Sequence, residues 1–120
     1  MPLLKKPVEL EWTLHAQAKM RQYRLTPSRV RHVLHSPKRI EEGVAPKTIA
    51  MMQPASMKTK DMWAQEIWVM IQEVAGARKV ISAWRYPGVT KPRSTVALGF
   101  LREQYQDFVN DAVSKKRSKA

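Results

Sequence analysis

The sequence predicts an α+β domain: two N-terminal helices packed on a three- to four-stranded antiparallel sheet, plus a C-terminal helix. Three observations predict it. Apolar residues recur at helical spacing between Thr13 and His35, the pattern turns strand-like as far as Tyr86, and helical spacing returns from Leu98 to Ala112. The 120 residues suit one domain, and 43% of them are apolar, which is enough for one core.

Residues 1–11 read as an extended lead-in broken by Pro2 and Pro7. Thr13 suits an N-cap, with a helix from Leu14 to about Arg24 and Ala16, Met20 and Tyr23 as its buried stripe. His15, Lys19 and Gln22 fall on a neighbouring, more exposed face. Thr26-Pro27 starts a second helix: the threonine caps, and proline at the first helical position loses no needed hydrogen bond. Val30, Val33 and Leu34 are its apolar face, Arg31 and His35 lie outside, and Ser36-Pro37 ends it.

Short strands are expected over Arg39–Val44 and Lys47–Gln53, with a loop from Pro54 to Lys60. Trp63–Val74 and Arg78–Tyr86 read as a hairpin joined at Ala75-Gly76-Ala77. Each strand is apolar on both faces: Ile67, Val69 and Ile71 opposite Trp68 and Met70, and Val80 and Trp84 opposite Ile81 and Ala83. Such strands are covered on both sides, or one side meets a partner. The last helix carries Leu98, Leu101, Tyr105, Phe108, Val109 and Ala112 on one side, and Glu103, Asp107 and Asp111 on the other. The domain is therefore expected over 12–114, with 115–120 a disordered basic tail.

Charge is the strongest compositional signal. Lys and Arg number 22 against 10 acids, a net +12. Such a field draws in anions, of which nucleic acid is the commonest large one. The excess is concentrated: from Trp12 to Ile40 there is no acid, yet the stretch holds Lys19, Arg21, Arg24, Arg29, Arg31, Lys38, Arg39 and all three histidines. Exposed helices usually mix signs to gain i,i+4 pairs, and this segment does not. Cysteine is absent, which removes disulfides, cysteine zinc sites and thiol nucleophiles. The longest apolar run is too short for a membrane span and no signal peptide is visible, so a cytoplasmic protein without membrane contact is expected.

The run from Trp12 through Thr13, His15-Ala16, Lys19-Met20, Arg24 and Thr26-Pro27 to Val30, Val33-Leu34 and Pro37, with Ala83-Trp84-Arg85 closing the last strand, resembles small bacterial and phage domains of unassigned function. Those domains are distantly similar to RelE-type and ParE-type toxins. The resemblance covers roughly residues 12–86. It implies a RelE-like fold, RNA as the nucleic acid ahead of DNA, and an acidic antitoxin-like protein as a partner. It also raises metal-independent RNA cleavage, with no cofactor.

Cleavage needs a proton acceptor near neutral pH and a neutraliser for phosphate charge, which are histidine and arginine chemistry. His15 and Arg85 are the catalytic candidates, if helix and strand bring them together. Lys19, Arg21, Arg24, Arg31, His35, Lys38 and Arg39 are the candidates for nucleic-acid contact. The plainer readings are a helix histidine bonded to a backbone carbonyl, and an Arg85 ion pair with Glu41, Glu42 or Glu66. His32 and His35 lack a third metal ligand, and Glu41-Glu42 would point to opposite faces of a strand. No P-loop, dinucleotide turn or nucleophile elbow occurs. The rival readings are a non-catalytic RNA-, DNA- or acidic-protein-binding module, and a homo-oligomer joined through the apolar hairpin, with a homodimer its simplest form.

Overall fold

A computed structural model describes residues 10–42 and 44–118. Most of the lead-in, and Lys119 and Ala120 of the tail, lie outside the described residues. The element order is β1 (Leu10–Trp12), α1 (Leu14–Tyr23), α2 (Pro27–His35), β2 (Arg39–Glu42), β3 (Thr48–Pro54), β4 (Met57–Thr59), β5 (Met62–Trp63), β6 (Glu66–Val74), β7 (Ala77–Tyr86) and α3 (Thr95–Ser118). The expected α+β class is present, but the sheet is larger and mixed. Five strands run in the order β1-β7-β6-β3-β2, and β4-β5 form a separate two-stranded piece.

The extra main-sheet strand is β1, paired parallel to β7 with Leu10 opposite Arg78 and Trp12 opposite Val80. Three residues carry no readable alternation, and their partner lies across the whole domain. The loop expected at Pro54–Lys60 contains β4, which returns through β5, so Trp63 belongs to this small hairpin and β6 starts at Glu66. The terminal helix begins before Leu98 and continues past Ser114, into the stretch expected to be disordered.

Each sheet face has its own core. Ala16, Met20, Leu25, Val30 and Val33 of the helix pair bury Met51, Ile67, Val69, Ile71, Val80 and Ala83. On the other face, Leu101 of α3 buries Ala50, Met52, Trp68, Met70, Ile81 and Trp84, with Phe100, Tyr105 and Phe108 packed alongside. The second apolar face of the hairpin, which a homo-oligomer would have used, is thus occupied by α3.

Phasing on β7 differs from simple alternation. Met70 pairs with Ser82 but Ile71 pairs with Val80, so Ile81 is an extra residue, a β-bulge. Ile81 therefore joins Trp84 on the α3 side, and Val80 joins Ala83 on the helix-pair side. The hairpin turn has positive φ at both Ala75 (50°) and Gly76 (81°), as a twist-matched two-residue turn requires. A residue other than Gly, Asn or Asp is strained there. Ala75→Asn is expected to stabilise the protein by about 0.5–1 kcal/mol. The check is a higher urea midpoint at unchanged slope.

No helix among the described residues is long and apolar enough to cross a membrane.

Candidate nucleic-acid interface

Two threonine caps set the helix pair. Thr13 Oγ1 accepts from the Ala16 N–H and donates to the Val80 carbonyl, each at 3.0 Å, which ends β1 and fixes α1 against β7. Thr26 Oγ1 accepts from the Arg29 N–H at 3.0 Å, with Pro27 opening α2. Between them Arg24 takes the left-handed conformation (φ 55°), and Leu25 N–H returns to the Met20 carbonyl.

This frame leaves Arg21, Arg24, Arg31, His35 and Lys38 exposed. Two of them lie over indole rings. The Arg31 guanidinium is 5.2 Å from the Trp12 ring centre, and the Lys38 ammonium is 5.3 Å from that of Trp63. Both contacts hold a cation at the surface without neutralising it.

Three other candidates are drawn inward. Arg39 is not a surface contact: it is half-buried, with Nε donating to Glu41 Oε2 at 3.1 Å. Its Nη1 and Nη2 donate to the carbonyl and hydroxyl of Thr90, each at 2.7 Å. Glu41 is buried and Glu42 exposed, as strand geometry requires. Lys19 is half-buried and paired with Asp107 of α3 at 3.3 Å. His15 is buried where exposure was expected. Its Nδ1 lies 3.1 Å from Asp111 Oδ2, its ring meets Phe108 edge-on, and its Nε2 is buried without a hydrogen-bond partner among the described residues. The cause is α3, whose acids meet the first turns of α1. The plainer reading of His15, a bond to a sheet backbone carbonyl, gives way to this contact with Asp111.

Arg85 does not ion-pair with Glu41, Glu42 or Glu66. Its Nε donates to the Tyr23 carbonyl at 2.8 Å, and Nη2 approaches the Arg24 carbonyl at 3.5 Å. It thus caps the C-terminal end of α1, where a cation complements the helix dipole. His15 sits at the opposite end of that helix, about 12 Å away along its axis. The expected meeting of His15 and Arg85 does not occur.

Arg29 of α2 meets the sheet at Gln53. Gln53, Ile67 and Arg85 occupy one row across β3, β6 and β7. Arg29 Nη1 donates to Gln53 Oε1, and Nη2 reaches the Pro54 carbonyl at 3.3 Å. The Gln53 amide is oriented by donation to the His32 and Ser36 carbonyls, at 3.2 and 2.7 Å. His32 Nδ1 lies 3.0 Å from the same Gln53 oxygen and 3.2 Å from Arg29 Nη1. Burial, and then the neighbouring Arg85 charge, hold the Arg29 guanidinium below the usual arginine range. Among the described residues no carboxylate pairs with either arginine; the four ion pairs lie elsewhere.

Arg29 was visible in the sequence only as one cation among several. A sharper signal was available: it lies in the first turn of α2, which has no acid, and the helix dipole there disfavours a cation.

Comparison with family models, with characterised proteins and with solved structures returns no match for this chain.

Proposed function

We propose that this chain is an RNA-binding module whose α1–α2 surface contacts the phosphate backbone. One observation carries the reading: after folding, Arg21, Arg24, Arg31, His35 and Lys38 of the acid-free segment remain exposed. Phosphate contacts of this kind supply affinity without sequence discrimination. RNA ahead of DNA follows from the likeness to RelE-type domains, and the helix pair on the β2-β3-β6-β7 antiparallel core is compatible with that likeness. The buried Nε2 of His15 and its distance from Arg85 favour binding over cleavage.

Fluorescence anisotropy with a labelled single-stranded RNA tests the proposal. Log affinity should fall linearly with log salt between about 50 and 200 mM, with a slope of about −0.7 for each phosphate engaged. Arg21→Ala and Arg31→Ala should each make that slope shallower by about 0.7. No affinity at the lowest salt overturns the proposal. Stronger binding to duplex DNA or to an acidic protein replaces RNA with that partner. RNA cleavage by the wild type that His15→Ala abolishes would restore the catalytic reading.

A further inference from the structure

The turn from α1 into α2 carries a cavity of about 400 Å³, lined in the main by Gln17, Met20, Arg21, Arg24, Leu25 and Pro27. Gln17, Met20, Arg21 and Arg24 stand at i, i+3, i+4 and i+7, so one face of α1 supplies one wall. The turn itself is fixed. Arg24 is left-handed, the Leu25 N–H donates to the Met20 carbonyl at 2.8 Å, and Arg85 Nε donates to the Tyr23 carbonyl at 2.8 Å. A cavity held in this way is formed before any ligand arrives.

Its floor and its rim differ in chemistry. Met20 and Leu25, only 6% and 5% exposed, give an apolar floor, with the exposed ring of Pro27 beside them. Arg21 and Arg24 are exposed, and neither guanidinium has an ion-pair or hydrogen-bond partner among the described residues. Gln17 donates its amide to the Trp12 carbonyl at 3.1 Å. That bond orients the side chain and leaves Oε1 without a partner among the described residues.

An apolar floor under two unpaired cations suits a ligand with a flat apolar part and an anionic part. A nucleotide has both. Its base can lie on the Met20 thioether and the Leu25 methyls, and its phosphate can take the guanidinia. The N–H groups on the edge of the base meet an acceptor at Gln17 Oε1. A simple anion would leave the floor uncovered, and an acyl chain would leave the amide oxygen unmet. A base stacked within a duplex has no face to offer the floor, so the nucleotide must be unpaired.

We infer that this cavity seats one unpaired nucleotide, with its base on Met20 and Leu25 and its phosphate at Arg21 and Arg24. In the RNA complex it is a nucleotide splayed out of the strand, so the α1–α2 surface prefers single-stranded RNA to duplex. That the nucleotide belongs to RNA rests on the RNA-binding reading; the seat does not.

The test compares two single-stranded RNAs of equal length, one normal and one abasic, against the wild-type protein. Both carry the same phosphates. The abasic strand should bind on the order of tenfold more weakly at an unchanged salt slope. Methyl NMR locates the difference. The Met20 and Leu25 methyl signals should shift with the normal strand only, while those of Met52 and Leu101, on the other face of the sheet, stay in place. Equal affinity for the two strands overturns the seat, and so do Met20 and Leu25 signals that the normal strand leaves unmoved.

Failure of RNA binding altogether is read separately. Adenosine and uridine 5′-monophosphates are then titrated against ribose 5-phosphate at equal ionic strength, following the same methyl signals. Saturable shifts that ribose phosphate does not produce, and that combining Arg21→Gln with Arg24→Gln abolishes, uphold the seat although the RNA reading has failed. No shift with either nucleotide overturns the seat as well.

Discussion

Trp68→Ala should lower folding stability by about 3–5 kcal/mol, as expected for removing a fully buried indole from a core. Trp68 is 0% exposed. It stacks on Trp84 with ring centres 6.2 Å apart, and Phe100 of α3 packs edge-on to both rings, at 5.4 and 5.9 Å. The Arg39 guanidinium also lies over the ring, 5.1 Å from its centre. The cavity left by alanine would lie between sheet and helix, so α3 should loosen first. Urea unfolding gives the magnitude. Hydrogen exchange should show α3 amides losing protection ahead of α1 and α2, whose core is on the other face. Trp68→Phe keeps a phenyl ring in the space but loses the rest of the indole and its N–H bond to Glu66, so it should cost less than alanine. A small loss for Trp68→Ala, or uniform loss of protection, would count against α3 depending on this cluster.

The second large effect is expected at Glu66. This carboxylate is 0% exposed, and both its oxygens are filled. Oε1 accepts from the Trp68 indole at 3.1 Å and the Thr90 hydroxyl at 2.8 Å. Oε2 accepts from the Trp63 indole at 3.1 Å and the Thr90 N–H at 3.0 Å. Thr90 in turn accepts from Arg39, and Glu41 accepts from both Arg39 and the Arg93 N–H. The network clamps the link between β7 and α3 to the sheet. Glu66→Ala strands donors of Trp68 and Thr90 away from water, at about 1–3 kcal/mol each, and a net loss of about 3 kcal/mol follows once the relief of burying the carboxylate is counted. Glu66→Gln should be nearly as harmful despite its shape, because its amide nitrogen turns donors toward donors. Chemical denaturation of both variants decides this: a near-neutral Glu66→Gln would mean that acceptor capacity is not what the site requires. The losses at Glu66 and Trp68 should not add, since one hydrogen bond joins them. Neither variant should alter the salt slope of RNA binding while the protein stays folded.

The helix boundaries of α2 were readable because they are local chemistry. Thr26-Pro27 and Ser36-Pro37 restrict backbone angles within a few residues, and the observed helix is Pro27–His35. The two-sided burial of β6 was readable for a similar reason: Ile67, Val69 and Ile71 alternate with Trp68 and Met70, and both sets are buried. The bulge at Ile81 broke the same logic on β7. One inserted residue reverses every later side chain, and nothing in an unbroken apolar run marks where that happens. At the interface, the absence of acids between Trp12 and Ile40 showed that the surface would be basic. It did not show which cations would stay free.

What the sequence determined by itself is whatever depends on near neighbours: the three helices and the long hairpin strands, the caps, the two apolar faces of the hairpin and the concentration of positive charge in the helix pair. The tertiary structure decided every assignment that depends on distant partners. His15 is drawn in by Asp111, 96 positions away. Arg39 is taken by Thr90, 51 positions away, and Arg85 by Tyr23, 62 positions away. The physical reason is that a charged side chain's role is fixed by what surrounds it in space, and spacing along the chain encodes only the surroundings within a turn or a strand. The acid-free segment thus announced a basic surface, and only the fold decided which of its cations stay exposed.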